Sequence, residues 1–334
     1  MLRGGGRTGP RAMGEPMGRP ESLLLVRLRN SWDRFLRFGS VFRDSRLGMV
    51  GLILLLIFTF MAASAGLLTS SGLLRSPTAS LCGADFHVCT PTDATPEMNF
   101  APPSSVVWLG TDNYGRDLFS RLWWGTQMTM LIGIMASFIS MGLGTFVGMV
   151  AGYYGGWTDE VLMRITDFFL VLPTIVLAII LAGMFREAGG GSSASIMFVI
   201  GITLWASTAR LVRSQVLSLK ERQFIERAKA VGASQTRIVW YHIFPNAFSL
   251  VFAEAILTIA VAILTEAFMS FIGLGPADAT TWGKMIEEGI MYSAIERQPI
   301  WIIAPGVAIV IVVLAFTLLG YALDEIMNPR LRRR

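Results

Sequence analysis

Asp167, Glu254 and Glu266 stand inside runs of apolar residues, where they are the side chains with most chemistry to offer. A carboxylate placed in hydrocarbon without a partner costs roughly 2.5 to 3.5 kcal/mol on insertion scales, so each of these acids should face other helices or a water-filled path. Asp167 lies three residues after Arg164, within reach of a local ion pair. Glu266 suits hydrogen bonding between helices or contact with a solute. A second polar set, Glu226-Arg-Ala-Lys-Ala-Val-Gly232 followed by Ile238 and His242-Ile-Phe-Pro245, is basic and amphipathic. Phe224, Ala228, Val231 and Ile238 can form one apolar stripe there, and Gly232 falls where two short helices turn. Glu226 is expected to bond backbone or basic groups near that turn. The cysteines are Cys82 and Cys89; six residues separate them, enough to close a short disulfide loop, with His87 the nearest further ligand if a metal were bound instead.

Several enzymatic chemistries lack their residues. There is no G-x-x-x-x-G-K-[ST] run to cradle a nucleotide phosphate, so ATP would have to bind to another chain. There is no H-E-x-x-H pair for zinc and no G-x-S-x-G elbow for a serine nucleophile. The chain is therefore not expected to be an enzyme, and no metal or cofactor of its own is expected.

The elements that position these residues follow from composition. Hydrophobic residues make up 53% of the 334, charged residues 15%, and the mean hydropathy is +0.57. That is too apolar for one soluble domain. Runs long enough to cross about 30 Å of hydrocarbon occur near Gly48 to Leu68, Met128 to Tyr153, Val161 to Ala182, Ser195 to Leu217, Phe248 to Ile272 and Ile300 to Leu323. The expected fold is an all-α membrane protein with six transmembrane helices. Strand-like alternation does not recur, which disfavours a barrel.

Lys and Arg set the orientation. With the N-terminus in the cytoplasm, the inside segments hold 22 of the 28 basic residues, and both termini and the Glu226 loop are then cytoplasmic. The net charge of +5 is a consequence of that topology and needs no nucleic-acid partner. Residues 1–20, rich in Gly, Arg and Pro, read as a disordered tail. Residues 21–40 place Leu24, Leu25, Leu28, Trp32, Phe35 and Leu36 at helical spacing among arginines, the pattern of an interfacial elbow helix in the headgroup layer. The first span is 48–68. The external insert, 69–107, carries Cys82 and Cys89 in a position that permits oxidation.

Leu109-Gly-Thr-Asp-Asn-Tyr-Gly-Arg-Asp117 with Ser120-Arg121-Leu122, Gly152-Tyr-Tyr-Gly-Gly156, Met163-Arg-Ile-Thr-Asp167, Phe271-Ile-Gly-Leu-Gly275 and Thr281-Trp-Gly-Lys-Met285 with Glu288-Gly289 form a series of motifs. Together with Glu226, Ala228, Gly232, Ile243 and Pro245, they resemble the C-type permease subunits of dipeptide, oligopeptide and nickel importers of the ATP-binding cassette class. The resemblance covers 108–331, the permease core, with 220–245 as its coupling loop, and is weaker at the elbow and first span. Arg227 departs from the usual Ala of that loop, and Lys284 from the usual Asn. The resemblance implies a type I importer permease in the bacterial cytoplasmic membrane. It implies a second homologous permease subunit as heterodimer partner, two ATP-binding subunits that carry ATP and Mg, and an extracytoplasmic peptide-binding protein. Peptide is then the expected solute, with nickel or another small solute as the alternative within the family. An ion-coupled secondary transporter is a further alternative; it predicts broken helices, which the six apolar runs do not announce.

Overall fold

The computed structural model describes Phe42 and residues 45–71, 98–105 and 107–327. The expected tail, the elbow helix, Cys82, Cys89 and the closing Asn328-Pro-Arg-Leu331 lie outside the described residues. α1 spans Arg46–Ser71 and α2 spans Leu118–Tyr154. α3 is Gly156–Val171, α4 Thr174–Glu187 and α5 Ser193–Lys220. The short α6, Gln223–Ala230, and α7, Gln235–Arg237, lead through a π-helical turn at Ile238–Ile243 into α8, Phe244–Met269. A second π-helical turn, Ser270–Leu274, ends α8; α9, Trp282–Met291, α10, Ala294–Arg297, and α11, Ile300–Met327, complete the fold. Among the described residues the β structure is one isolated bridge, Thr111 to Asp117.

Five helical segments are long and apolar enough to cross a membrane, and α3 with α4 makes a sixth when taken as one bent span. The bend corrects the expectation of a continuous third span over Val161 to Ala182. α3 and α4 meet at 91°. Proline disfavours the helical conformation in the residue before it, and Leu172 accordingly sits at φ −73°, ψ 132°, ahead of Pro173. The apolar composition runs unbroken across this point, so hydropathy alone conceals the break.

α2 and α5 form the closest pair. Gly144, Gly148 and Gly152 recur every fourth residue on α2; a Cβ on them would stand 2.6, 2.5 and 3.0 Å from the carbonyl oxygens of Trp205, Ala209 and Arg213. Small residues at that spacing let two helix backbones touch. α11 packs on α8 and α1, with Gly51 of α1 set against the backbone at Ala315.

Candidate functional site

The elbow between α5 and α8 is built on a buried wedge. Ile225, Ile238 and Ile243 are fully buried in a cluster with Val212, Val216 and Leu219 of α5 and Tyr153 of α2. Lys220 Nζ donates to the Tyr153 carbonyl at 2.7 Å and ties the end of α5 to the end of α2. The chain reverses at Gly232, whose φ is +82°, as its place between two short helices predicts. Its N–H donates to Lys229 O at 2.9 Å, and Ala233 N–H to Ala228 O at 3.0 Å. Ser234 then caps α7, accepting from Arg237 N–H at 3.4 Å. Pro245 occupies the first turn of α8, where its missing N–H costs no helical bond.

The expected single stripe is split by this turn. Ala228 and Ile238 pack inward around Ile225, whereas Phe224 and Val231 point out, Val231 with 89% of its surface exposed. α6 is only eight residues long, so Val231 and Ile238 lie on different segments and cannot share one helical face. Glu226, Arg227 and Lys229 are exposed beside Val231, and Glu226 has no side-chain partner among the described residues, contrary to its expected bond near the turn. Arg222, Gln223, Phe224, Arg227 and Asn246 line an open cleft of 560 Å³ beside the elbow.

The intramembrane acids are placed separately. Asp167 pairs with Arg210 of α5, Nη2 to Oδ1 at 2.5 Å, and not with Arg164. Arg213, three residues on, holds Asp159 through two bonds of 2.5 and 2.7 Å. Glu266 is fully buried and accepts from Ser270 Oγ, at the start of the π-helical turn that follows α8, at 2.6 Å, and its Oε2 has no partner among the described residues. Glu254 is partly buried on α8 with no ion pair among the described residues. No group of three or more metal-ligating side chains converges among the described residues.

At the opposite end of the bundle a charge knot joins two of the motifs. Asp112 Oδ1 accepts from the N–H groups of Tyr114 and Arg116 at 2.8 and 2.9 Å. Its Oδ2 accepts from Arg116 Nε at 2.5 Å and from Arg121 Nη1 at 2.8 Å. Glu288 of α9 takes the second nitrogen of each arginine, at 2.9 and 2.7 Å. Asp117 caps α2 by accepting from Ser120 N–H at 2.8 Å. Trp282 is buried against Gly125 and donates its indole N–H to Leu122 O at 2.9 Å. Beside the knot, Arg116, Gln127, Asp278, Lys284 and Glu288 help line a cleft of 350 Å³. Burial works against the Asp278 charge, but two bonds from Ser193 outweigh it and hold that carboxyl below the usual range.

Residues 144–333 match the family model described as the binding-protein-dependent transport system inner membrane component. The chain belongs to this family. Like the family, it is a multi-pass membrane protein, and its elbow falls within the matched region. It is 34% identical to the dipeptide transport system permease protein DppC of Alkalihalophilus pseudofirmus, over 87% of this chain and 88% of that one. It is 33% identical to the oligopeptide transport system permease protein OppC of Bacillus subtilis, over 90% of each. With the glutathione transport system permease protein GsiD of Pectobacterium atrosepticum it shares 38% identity, over 69% of this chain and 75% of that one.

Proposed function

We propose that the chain is one permease subunit of an ATP-driven peptide importer and that its elbow couples transport to ATPase partners. The observation that carries this reading is the elbow itself: Ile225, Ile238 and Ile243 anchor it in the bundle, while Val231 and the empty space at Gly232 stand at its outer tip. A rigid base with an exposed apolar tip suits transmission of force to another protein. Relatives named as dipeptide, oligopeptide and glutathione permeases support peptide as the solute.

In this reading a second, homologous permease subunit completes the path, two ATP-binding subunits holding ATP and Mg take the two elbows, and an extracytoplasmic peptide-binding protein loads the opposite face. Closure of the ATPase pair moves the elbows and turns the path outward; hydrolysis returns it. The elbow and both termini then lie in the cytoplasm of a bacterial cell. Purification in mild detergent tests the assembly: ATP-binding subunits are expected to co-purify, and loaded binding protein is expected to stimulate hydrolysis in liposomes. A chain that transports alone, driven by an ion gradient, would overturn the reading.

A further inference from the structure

The bent third span carries polar groups at a depth where lipid cannot cover them. Arg164, Asp167, Phe168 and Val171 follow at i, i+3, i+4 and i+7 and share one face of α3. Phe168 and Val171 are 62% and 81% exposed. The side chains of the paired Asp167 and Arg210 are 50% and 57% exposed. Their depth is fixed by α5. The Phe169 ring packs on Trp205 with centroids 5.3 Å apart, and Trp205 stands near the middle of Ser193–Lys220. The 28 residues of α5 span about 42 Å, so with the middle of the helix at the middle of roughly 30 Å of hydrocarbon, Arg210 stands about 5 Å from the centre.

Three residues beyond Phe169 the helix opens. Leu172 is extended, Pro173 has no N–H, and among the described residues no backbone bond crosses to the carbonyls of Leu170 and Val171. Open backbone at membrane depth is tolerated only inside protein or beside water, and an exposed ion pair obeys the same restriction. α1 provides the contrast. Its outward residues Leu47, Val50, Ile53, Leu56, Ile57 and Phe60 carry no charge, and the helix is unbroken.

We infer that this face of α3, with Arg210 behind it, is a wall of the translocation path and touches the passing solute. Asp167 and the open carbonyls of Leu170 and Val171 accept hydrogen bonds from ammonium and amide N–H groups; Arg210 donates to carboxylate and carbonyl oxygens. Those groups together are the polar complement of a peptide. The ligand class rests on the peptide-permease reading; the wall rests on the break and the ion pair.

The test uses the whole complex in liposomes, with a single cysteine at Val171, Phe168 or Ile57 and a charged, water-borne methanethiosulfonate reagent. Reaction needs thiolate in contact with water, so Val171→Cys and Phe168→Cys are expected to react about tenfold or more faster than Ile57→Cys. Dipeptide supplied with binding protein and ATP is expected to slow the first two. Rates equal to that of Ile57→Cys would overturn the wall. Fast reaction that no peptide slows would overturn the ligand class. Loss of peptide-stimulated hydrolysis in the parent complex would instead overturn the functional reading, independently of labelling.

Discussion

Arg121 donates to Glu288 at 2.7 Å across 167 residues of chain, and through its other nitrogen to Asp112 at 2.8 Å. This guanidinium, 1% exposed, binds the entry to α2 to the outer helix α9. Removing one partner of a buried pair leaves uncompensated charge and typically costs about 3 to 5 kcal/mol. Arg121→Met is expected near the lower end, because Arg116 stays on both carboxylates. In detergent the apparent Tm should fall by about 5 °C. An unchanged Tm would mean that the knot does not hold this end of the bundle together.

Gly232 and Gly189 form a matched pair. Their φ angles are +82° and +84°, and a Cβ on either would meet no atom within 4 Å. Aspartate strains both sites by about 1 to 2 kcal/mol, with no clash inside this chain. Gly232→Asp should insert and express like the parent yet lose ATPase docking and ligand-stimulated hydrolysis, whereas Gly189→Asp should keep both. Equal behaviour of the two variants in the reconstituted complex would remove the elbow from the coupling path.

Orientation has a direct measurement. With Arg210 set aside, the expected topology puts 21 of the other 27 basic residues on the cytoplasmic side, so Ser234→Cys should react with a membrane-impermeant maleimide only after cells are opened. Glu296→Cys should react in intact cells. The opposite pattern would place the elbow outside, away from ATP.

Asp117 supplies a pH test. Burial raises its pKa above the usual 3.8, against the opposing bonds from Ser120. A raised carboxyl contributes stability in full below the unfolded value and loses it as pH rises through the folded value, so ionising Asp117 costs the fold part of that stability. Asp117→Asn keeps an N-cap acceptor without the charge; it should match or exceed the parent at about pH 8, and its relative advantage should shrink as pH falls toward the usual carboxylate value of about 4. Asp117→Ala should cost about 1 kcal/mol at both, seen as a lower apparent Tm.

Much of this architecture can be read from residue order. Apolar run length is a local property, and so is the demand for positive φ at Gly232; both emerge in place. The glycine stripe of α2 also forms the contact its spacing implies. The bend at Pro173 was legible in the residue pair Leu172-Pro173 but masked by hydropathy, which averages over a window longer than the break. The distant partners of Asp167 and Arg121 were not legible. Arg210 and Glu288 are remote in sequence, and charge type alone does not choose among many candidates. Nor did amphipathic spacing reveal that Gly232 divides the apolar stripe, because periodicity assumes one continuous helix.

Gly144, Gly148 and Gly152 meet the backbone of α5 directly, with Thr208, Val212 and Val216 filling the space against them, so the two helices have little room to slide past each other. Lys220 ties the end of α5 to the end of α2 through the Tyr153 carbonyl, while Ser193 at the other end of α5 holds Asp278 of the loop before α9. In the proposed importer, a displacement applied at the elbow would be carried along the pair of α2 and α5 toward the cleft beside the charge knot. The 91° break between α3 and α4 lies outside that pair and leaves its contacts whole.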